Sequence, residues 1–457
     1  MGDSLRGWPG PSISPIFMDP VSERGEAKTL YISRYSLGTI AGFAAELDGY
    51  AVRMMKVLRE RNFAIYAMGN TISWLGMWMQ RLAIGWLSWD LSQSPLWVGL
   101  ISLAQYVPLI VAGPLFGVLL DHSDRRRYAL AVNGVLMALA FGLYAAAAFD
   151  ALSIWHLFGL CCLLGIANSA YQPVRLAMVT DVVPRPLLTQ AISVNSMLFN
   201  TTRLAGPALG GIAIAALGVK AAFALNAVSY AAVLVSLMML HLTPTPHKPG
   251  GLDVFGQLAA GIRYSLERRN IREVMMLSAI SSLLARGGLE MLPAFADGVF
   301  RHGSSGLATL TAAGGAGALG AGVLLARTRT PGRLRSLTWW SAIGSGLLLT
   351  VFALLKNFAA AVAVVALLGT FVTLCSVGLQ AVLQSNLDDA YRGRMVGLWG
   401  VVNVAGPSVG GALIGGLTHF ADLADVCAAS GLTCAVLSAA AMRRSSLADA
   451  RAQAQHP

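Results

Sequence analysis

Charge is scarce in this sequence. Asp, Glu, Lys and Arg together make up 12% of its 457 residues, whereas 56% are hydrophobic and the mean hydropathy is +0.63. A soluble domain typically carries about 25% charged residues; an apolar excess of this size calls for lipid as the solvent. Acidic residues are the scarcest, 22 against 33 Lys and Arg, which leaves a net charge of +11. That excess does not mark a nucleic-acid partner, because the bases sit in short loops between apolar runs, where they orient a membrane protein. The five cysteines, Cys161, Cys162, Cys375, Cys427 and Cys434, are odd in number and all fall inside apolar runs, so no disulfide framework or metal-ligand spacing emerges. They read as small packing residues. His122, His156 and His419 are isolated, and the chain has no phosphate-binding loop and no nucleophile accompanied by a base and an orienting group. Nothing therefore supports an enzyme, a cofactor, a metal site or a pump driven by its own ATP site.

What the sequence does have is a repeat. Gly117-Val118-Leu119-Leu120 returns as Gly322-Val323-Leu324-Leu325, and Gly206-Pro207-x-x-Gly210-Gly211 returns as Gly406-Pro407-x-x-Gly410-Gly411. The order and the spacing are kept, as expected for two copies of one unit in the same orientation, the organisation of parallel-repeat transporters. Runs of about 20 apolar residues number six in each half: near 63–89, 96–120, 128–148, 154–180, 188–216 and 219–241, then near 273–299, 305–326, 335–355, 358–385, 393–417 and 422–442. Arg59, Arg61, Arg125 to Arg127, Arg185, Arg263, Arg268, Arg269, Arg327, Arg329, Arg333, Arg335, Arg392, Arg394, Arg443 and Arg444 all fall on one side of these runs. The opposite loops carry only scattered bases, Lys220, Arg301 and Lys356. This asymmetry makes both termini cytoplasmic.

The expected organisation is a disordered cytoplasmic tail over 1–60, a six-helix domain over 61–242, a cytoplasmic linker over 243–272, a second six-helix domain over 273–443 and a cytoplasmic tail over 444–457. Residues 1–53 are mixed in polarity and do not form a cleavable signal; a start at Met54 or Met55 would give a chain of ordinary shape. In the linker, Leu252, Phe255, Leu258, Ala259, Ile262 and Leu266 recur at helical spacing beside Arg263, Arg268 and Arg269, the pattern of an amphipathic helix on a membrane surface.

The second run ends in Gly117-Val118-Leu119-Leu120-Asp121-His122-Ser123-Asp124-Arg125-Arg126-Arg127. This resembles the signature loop of the major facilitator superfamily: Gly117, Leu119, Asp121, Arg125 and Arg126 match, while Asp124 stands where the pattern has Gly and His122 where it has a base. A carboxylate at the end of one helix can rest on the positive N-terminus of another, held by nearby Arg, and so latch two halves together. The resemblance implies that Asp121 faces the start of the eleventh span near Arg392 to Met395, and that Arg125 pairs with Asp181. In the second half Ala326 follows the repeated string, so the latch is one-sided.

Gly206-Pro207-Ala208-Leu209-Gly210-Gly211 is similar to the core of the superfamily's exporter motif, with Thr202 in place of its leading Gly. Close helix packing alone also explains the string, since small residues let two helices approach. With Ser73-Trp74-Leu75-Gly76, Met79-Gln80-Arg81, Tyr171-Gln172-Pro173, Arg175, Arg203, Glu290-x-Leu292-Pro293 and Arg392-Gly393-Arg394, the resemblance is nearest to a bacterial exporter subgroup that includes enterobactin and macrolide efflux proteins.

Ionisable residues inside spans are costly unless they face a cavity or a partner. Arg286 and Glu290 fall one helical turn apart in the seventh span, so they can pair with each other. Two readings stay open: a proton-carrying Glu290, or a fixed Arg286 to Glu290 pair. Arg203, near the middle of the fifth span, is the stronger cavity candidate, able to meet an anionic substrate or to balance Glu290; Arg81 lies nearer the outer end of the first. Asn195, Asn200, Gln105, Asn226, Gln380, Gln384 and Asn403 either line the cavity or bond between helices. Trp78, Trp86, Trp89 and Trp97 read as an interfacial belt.

The sequence thus predicts an all-α membrane protein, twelve transmembrane helices in two six-helix pseudo-symmetric domains, monomeric, in a bacterial inner membrane. The function it predicts is proton-coupled efflux of a small amphipathic molecule, by resemblance a siderophore or a hydrophobic drug. An importer of small organic solutes and a non-transporting receptor or scaffold remain as other readings of the same fold.

Overall fold

A computed structural model of the protein describes residues 56–240, 254–328, 330–388 and 391–455. The expectations for residues 1–53 and for the start of the linker lie outside the described residues. The first six long helices are α1 (Arg61–Ser92), α2 (Pro95–Asp121), α3 (Arg125–Ala148), α4 (Ile154–Asp181), α5 (Leu188–Leu217) and α6 (Val219–Met239). A shorter helix, α7 (Val254–Glu267), leads to α8, a broken span over Arg269–Val299. It is followed by α9 (Gly303–Arg327), α10 (Pro331–Leu354), α11 (Phe358–Ser385), α12 (Arg392–Leu417) and α13 (Leu423–Gln455).

Local sequence sets these boundaries. Pro95 and Pro331 stand in the first turns of α2 and α10, where a missing N–H costs nothing. Ser153 caps α4 in a capping box with His156, and Asn357 accepts from the Ala360 N–H at the start of α11. Gly218, at φ +81°, turns the chain between α5 and α6, a backbone angle that glycine adopts without a Cβ penalty.

Among the described residues, ten helices are long and apolar enough to cross a membrane. The expected spans α1 and α5 have 32 and 30 residues but fall outside that set. Their sequences explain it: α1 carries Asn70, Gln80 and Arg81, and α5 carries Asn195, Asn200, Thr201, Thr202 and Arg203. Of these, Arg81 and Arg203 recur in the site described below.

In the first set α1 packs on α5 and α6, α2 on α4, and α3 on α6. The second set repeats those pairings, with α8 on α12, α9 on α11, and α10 on α13. The most extensive crossings between the sets are α2 on α12 and α5 on α9. The repeated glycine motif works alike in both. A Cβ at Gly206 would strike Trp78 of α1, and one at Gly210 would come within 3.0 Å of Met79. The counterparts Gly406 and Gly410 press on Ser282 and Leu283 of α8. Each motif thus seats the fifth helix of its set on the first.

Candidate functional site

The span α8 is not a continuous α-helix. After Ile280 it widens into a π-helical turn over Ser281–Arg286, breaks at Glu290 and Met291, and widens again over Phe295–Val299. Pro293 lies between the two π segments; it has no N–H to donate and its ring crowds the preceding turn. Such widened turns concentrate at functional positions.

This break corrects the expected Arg286 to Glu290 pair. The change of helical pitch turns Arg286 toward α12, where Nη1 donates to the backbone oxygen of Asn403 at 2.9 Å and to its Oδ1 at 3.2 Å. Asn403 is anchored in turn through Nδ2 to Ser278 Oγ at 2.9 Å. Glu290 faces the other way, and its partner is Arg81, whose Nη2 lies 3.1 Å from Oε1. Ser102 Oγ donates to Oε2 at 2.9 Å, and Ser408 Oγ lies 2.8 Å from Ser102 Oγ. A hydroxyl has one proton to give, so with Ser102 donating to the carboxylate, Ser408 is the donor to Ser102. One carboxylate therefore ties α8 to α1, α2 and α12. The Arg81 guanidinium also sits 4.9 Å from the Tyr106 ring centre and 5.4 Å from that of Trp78, within cation–π range.

These groups line a cavity of about 320 Å³ walled by α1, α2, α5, α8 and α9. Arg81, Arg203 and Glu290 are its charged residues, and Trp78, Gln105, Pro207 and Thr311 contribute further wall. Arg203 faces it without a hydrogen-bond or ion-pair partner among the described residues. The space is large enough for a small organic molecule.

The two ends of the bundle differ. Far from the arginine-rich loops, Trp89 Nε1 donates to Asp297 Oδ2 at 2.9 Å, joining α1 to α8. There a Cβ at Gly99 would come within 2.5 Å of Ala412, and Gly211 abuts Ala308. Toward the arginine-bearing end the same helices part: a Cβ at Gly113, Gly117, Gly320, Gly397 or Gly400 would meet nothing within 4 Å among the described residues. The far end is thus tightly packed, whereas these glycines toward the arginine-bearing end are uncovered. Trp86 and Trp89 are accordingly buried, 9% and 7% exposed, and Trp78 lines the cavity. This corrects the belt reading for those three, because closing the far end draws them inside; Trp97 instead stacks edge-on against the exposed Trp155 at 4.7 Å.

A family model described as transmembrane secretion effector matches residues 54–457. The chain belongs to that family, within the major facilitator superfamily. It is 29% identical to the enterobactin exporter EntS of Escherichia coli over 318 residues, 69% of this chain and 74% of that one. It is 31% identical to the uncharacterized MFS-type transporter YfiS of Bacillus subtilis over 173 residues, 37% of this chain and 40% of the relative. Among solved structures, a peptide transporter of the POT type superposes with a TM-score of 0.66 at 14% identity, covering 84% of this chain and 94% of that one. A bacterial homolog of the lysosomal transporter Spinster, in an inward-facing and unoccupied conformation, does so with 0.62 at 13%, covering 84% and 96%.

The superfamily's signature loop takes a definite form here. Asp124 is the N-cap of α3, at φ −64° and ψ 115°, and its Oδ1 accepts from the Arg127 N–H at 2.8 Å. The position has extended backbone, so no glycine is required, and the aspartate contributes a cap in exchange. Asp124→Ala is expected to cost about 1 kcal/mol, read as a lowered thermal midpoint with transport retained. Arg125 Nη1 lies 2.8 Å from Asp181 Oδ1 at the end of α4. Arg126 donates from Nε to the Leu237 carbonyl at 2.9 Å and from Nη2 to that of Met238. It caps the C-terminus of α6, where a cation is favoured, and so serves a role other than the expected latch. The side chains of Asp121, Arg392 and Arg394 lie outside the described residues. Thr202, in place of the exporter motif's leading Gly, is buried and donates to the Phe199 carbonyl at 2.8 Å.

Several groups escaped sequence reasoning. Ser102 and Ser408 are ordinary serines in apolar runs; only the fold brings them to Glu290. Tyr264 of α7 stacks on Tyr391 at 4.2 Å, and its hydroxyl donates to Asp388 Oδ2 at 3.0 Å. The linker helix is thereby fastened to the approach to α12, while Ile262 and Leu266 stay exposed, at 43% and 57%.

Proposed function

We propose that the protein is a secondary active exporter of a small amphipathic molecule, coupled to protons and working by alternating access. The observation that carries this reading is the Arg81, Glu290, Ser102 and Ser408 cluster, which closes the far side of a cavity open at the other end. In this reading the chain has twelve spans in two six-helix domains, α1 to α6 and α8 to α13, with the arginine-bearing end cytoplasmic by the positive-inside rule. The structure is then the inward-open state.

Ionised Glu290 holds Arg81 and Ser102 and so keeps the outer end shut. A proton on Glu290 removes the charge that holds Arg81 and turns the carboxyl into a donor toward Ser102, which dissolves the tie between α8 and α1. Substrate entering from the cytoplasm competes for the same guanidinium. Substrate binding thus frees the outer ends to part, and the glycine-lined inner ends of α2, α9 and α12 to close, and Glu290 then takes its proton from the outer side, so that proton entry accompanies substrate exit. The Arg125 to Asp181 pair and Asp121 serve as the inner latch. Similarity to the enterobactin exporter supports the outward direction, and the cavity's mixture of aromatic wall and charge supports an amphipathic substrate, siderophore-like or drug-like.

The test is proton flux in proteoliposomes holding an imposed pH gradient, with siderophores, macrolides and lipophilic cations added in turn. One ligand class is expected to collapse the gradient. Absence of any ligand-dependent flux, with counterflow of the same ligands also absent, would remove the transport reading.

A further inference from the structure

A second cationic group lies on the arginine-bearing side of the cavity and has no carboxylate partner among the described residues. Arg175 is on α4, six residues before Asp181, roughly 9 Å along the helix at 1.5 Å per residue. Its guanidinium sits 4.6 Å from the ring centre of Phe199 and 5.6 Å from that of Trp74. Nη2 donates to Gln172 Oε1 at 3.1 Å, and Nε is buried without an acceptor. The surroundings are rigid: Tyr66 Oη donates to the Arg175 carbonyl at 2.9 Å, Trp74 Nε1 to Tyr171 Oη at 2.9 Å, and Tyr171 Oη to Asn70 Oδ1 at 3.0 Å. A guanidinium held by rings in place of an acid keeps its charge available, at a cost that a purely structural contact would not require.

The aromatic platform is continuous with the cavity. Phe199 packs edge-on against Trp74 at 5.2 Å and tilted against Trp78 at 5.9 Å, and Trp78 in turn lies under Arg81. On α5 the residues Phe199 and Arg203 are four apart, and on α1 so are Trp74 and Trp78, so each pair shares one helix face. The Trp78 Nε1 donor is also buried with no acceptor. From Arg175 to Arg203 the guanidinium groups thus alternate with ring faces, and the Arg175 Nε and Trp78 Nε1 donors have no acceptor.

We infer that Arg175, Phe199 and Trp78, with the buried Trp74 packed beneath them, form an entry subsite that takes the anionic end of an aromatic substrate before it reaches Arg203 and Arg81. The inference rests on the efflux reading for its direction, and it assigns the substrate class, an aromatic anion. An aromatic carboxylate fits such a site chemically: the guanidinium and the indole N–H donate to its oxygens, and its ring stacks on Phe199.

The experiment uses the full-length chain in lipid nanodiscs without a pH gradient, titrated with 4-nitrobenzoate, neutral 4-nitrobenzyl alcohol and cationic 4-nitrobenzylammonium. Quenching of tryptophan fluorescence is the readout. The anion is expected to bind at least tenfold more tightly than the alcohol, and the cation more weakly than either. Arg175→Gln is expected to erase most of the anion's advantage, whereas Arg203→Gln leaves a saturable anion phase. Equal affinity for the three probes, or an undiminished anion preference in Arg175→Gln, overturns the subsite. A second measurement stands apart from the folding of that variant: Trp74→Phe with Trp78→Phe is expected to lose the anion-dependent quench, and a quench that survives puts the anion elsewhere and also overturns it. Binding as expected without proton flux would overturn the transport reading and leave the subsite in place. Flux with no anion preference would do the reverse.

Discussion

Glu290→Gln is expected to abolish ligand-driven proton flux in proteoliposomes, a fall of about a hundredfold or more, while the protein still folds. Glutamine keeps the shape and an acceptor for Ser102 but has no charge for Arg81 and no proton to exchange. Breaking a fully buried ion pair typically costs about 3–5 kcal/mol. Here the Arg81 side chain is 35% exposed to the cavity and keeps its contacts with Trp78 and Tyr106, so water and the rings recover part of that. About 1–2 kcal/mol is the remaining expectation once screening is allowed for, enough to shift the balance of outer-closed and outer-open states about tenfold. The sign is fixed by position: the pair spans the closed end, so its loss favours opening there. Flux that keeps its full pH dependence in Glu290→Gln would remove Glu290 from the coupling step.

Gly410→Ala and Gly397→Ala are expected to have opposite effects, although they place the same methyl group on the same helix. At Gly410 the added carbon would overlap the carbonyl oxygen of Leu283. That oxygen is backbone and cannot swing away, so α12 must move off α8. Overpacking of this kind costs about 1–3 kcal/mol, and the contact also carries the Glu290 segment: a Cβ at the adjacent Gly411 would lie 3.0 Å from the Glu290 Cβ. A lowered thermal midpoint and loss of transport are expected together. At Gly397 the methyl meets open space among the described residues, and replacing a helical glycine by alanine gains up to about 1 kcal/mol. The midpoint should hold or rise. Under alternating access, Gly397→Leu adds a sharper contrast, since closing the inner end would press α12 on α2: transport should slow while the midpoint stays. Equal losses of stability at Gly397 and Gly410 would contradict the open and closed ends described above.

How much of this was legible beforehand depends on the kind of interaction. Apolar runs, arginine-rich loops and the twice-used glycine strings are local or periodic features of one chain, and lipid acts on each span almost independently of the others. They led to the helical membrane class, the family and the motif positions. Glu290 and Arg81 could be singled out because charge in an apolar run is expensive wherever it lies.

The partnership between them could not. It joins residues 209 positions apart, and it depends on helix rotation, which sequence spacing leaves undetermined. The ideal turn that put Arg286 next to Glu290 assumed a regular helix. Two π segments and a break at Glu290 changed the pitch, and those follow from how Gly287 packs on Gly410 and Gly288 on Leu349 as much as from Pro293. In the same way Trp86 and Trp89 looked like interfacial residues by composition, and closure of the far end made them interior. The sequence by itself determined the solvent this chain needs, the places of its glycine motifs and which charges must be accounted for, because burial energy is a property of each segment. The tertiary structure alone decided which charge meets which and which end of the cavity is shut, because these depend on the mutual rotation and tilt of helices far apart in the chain.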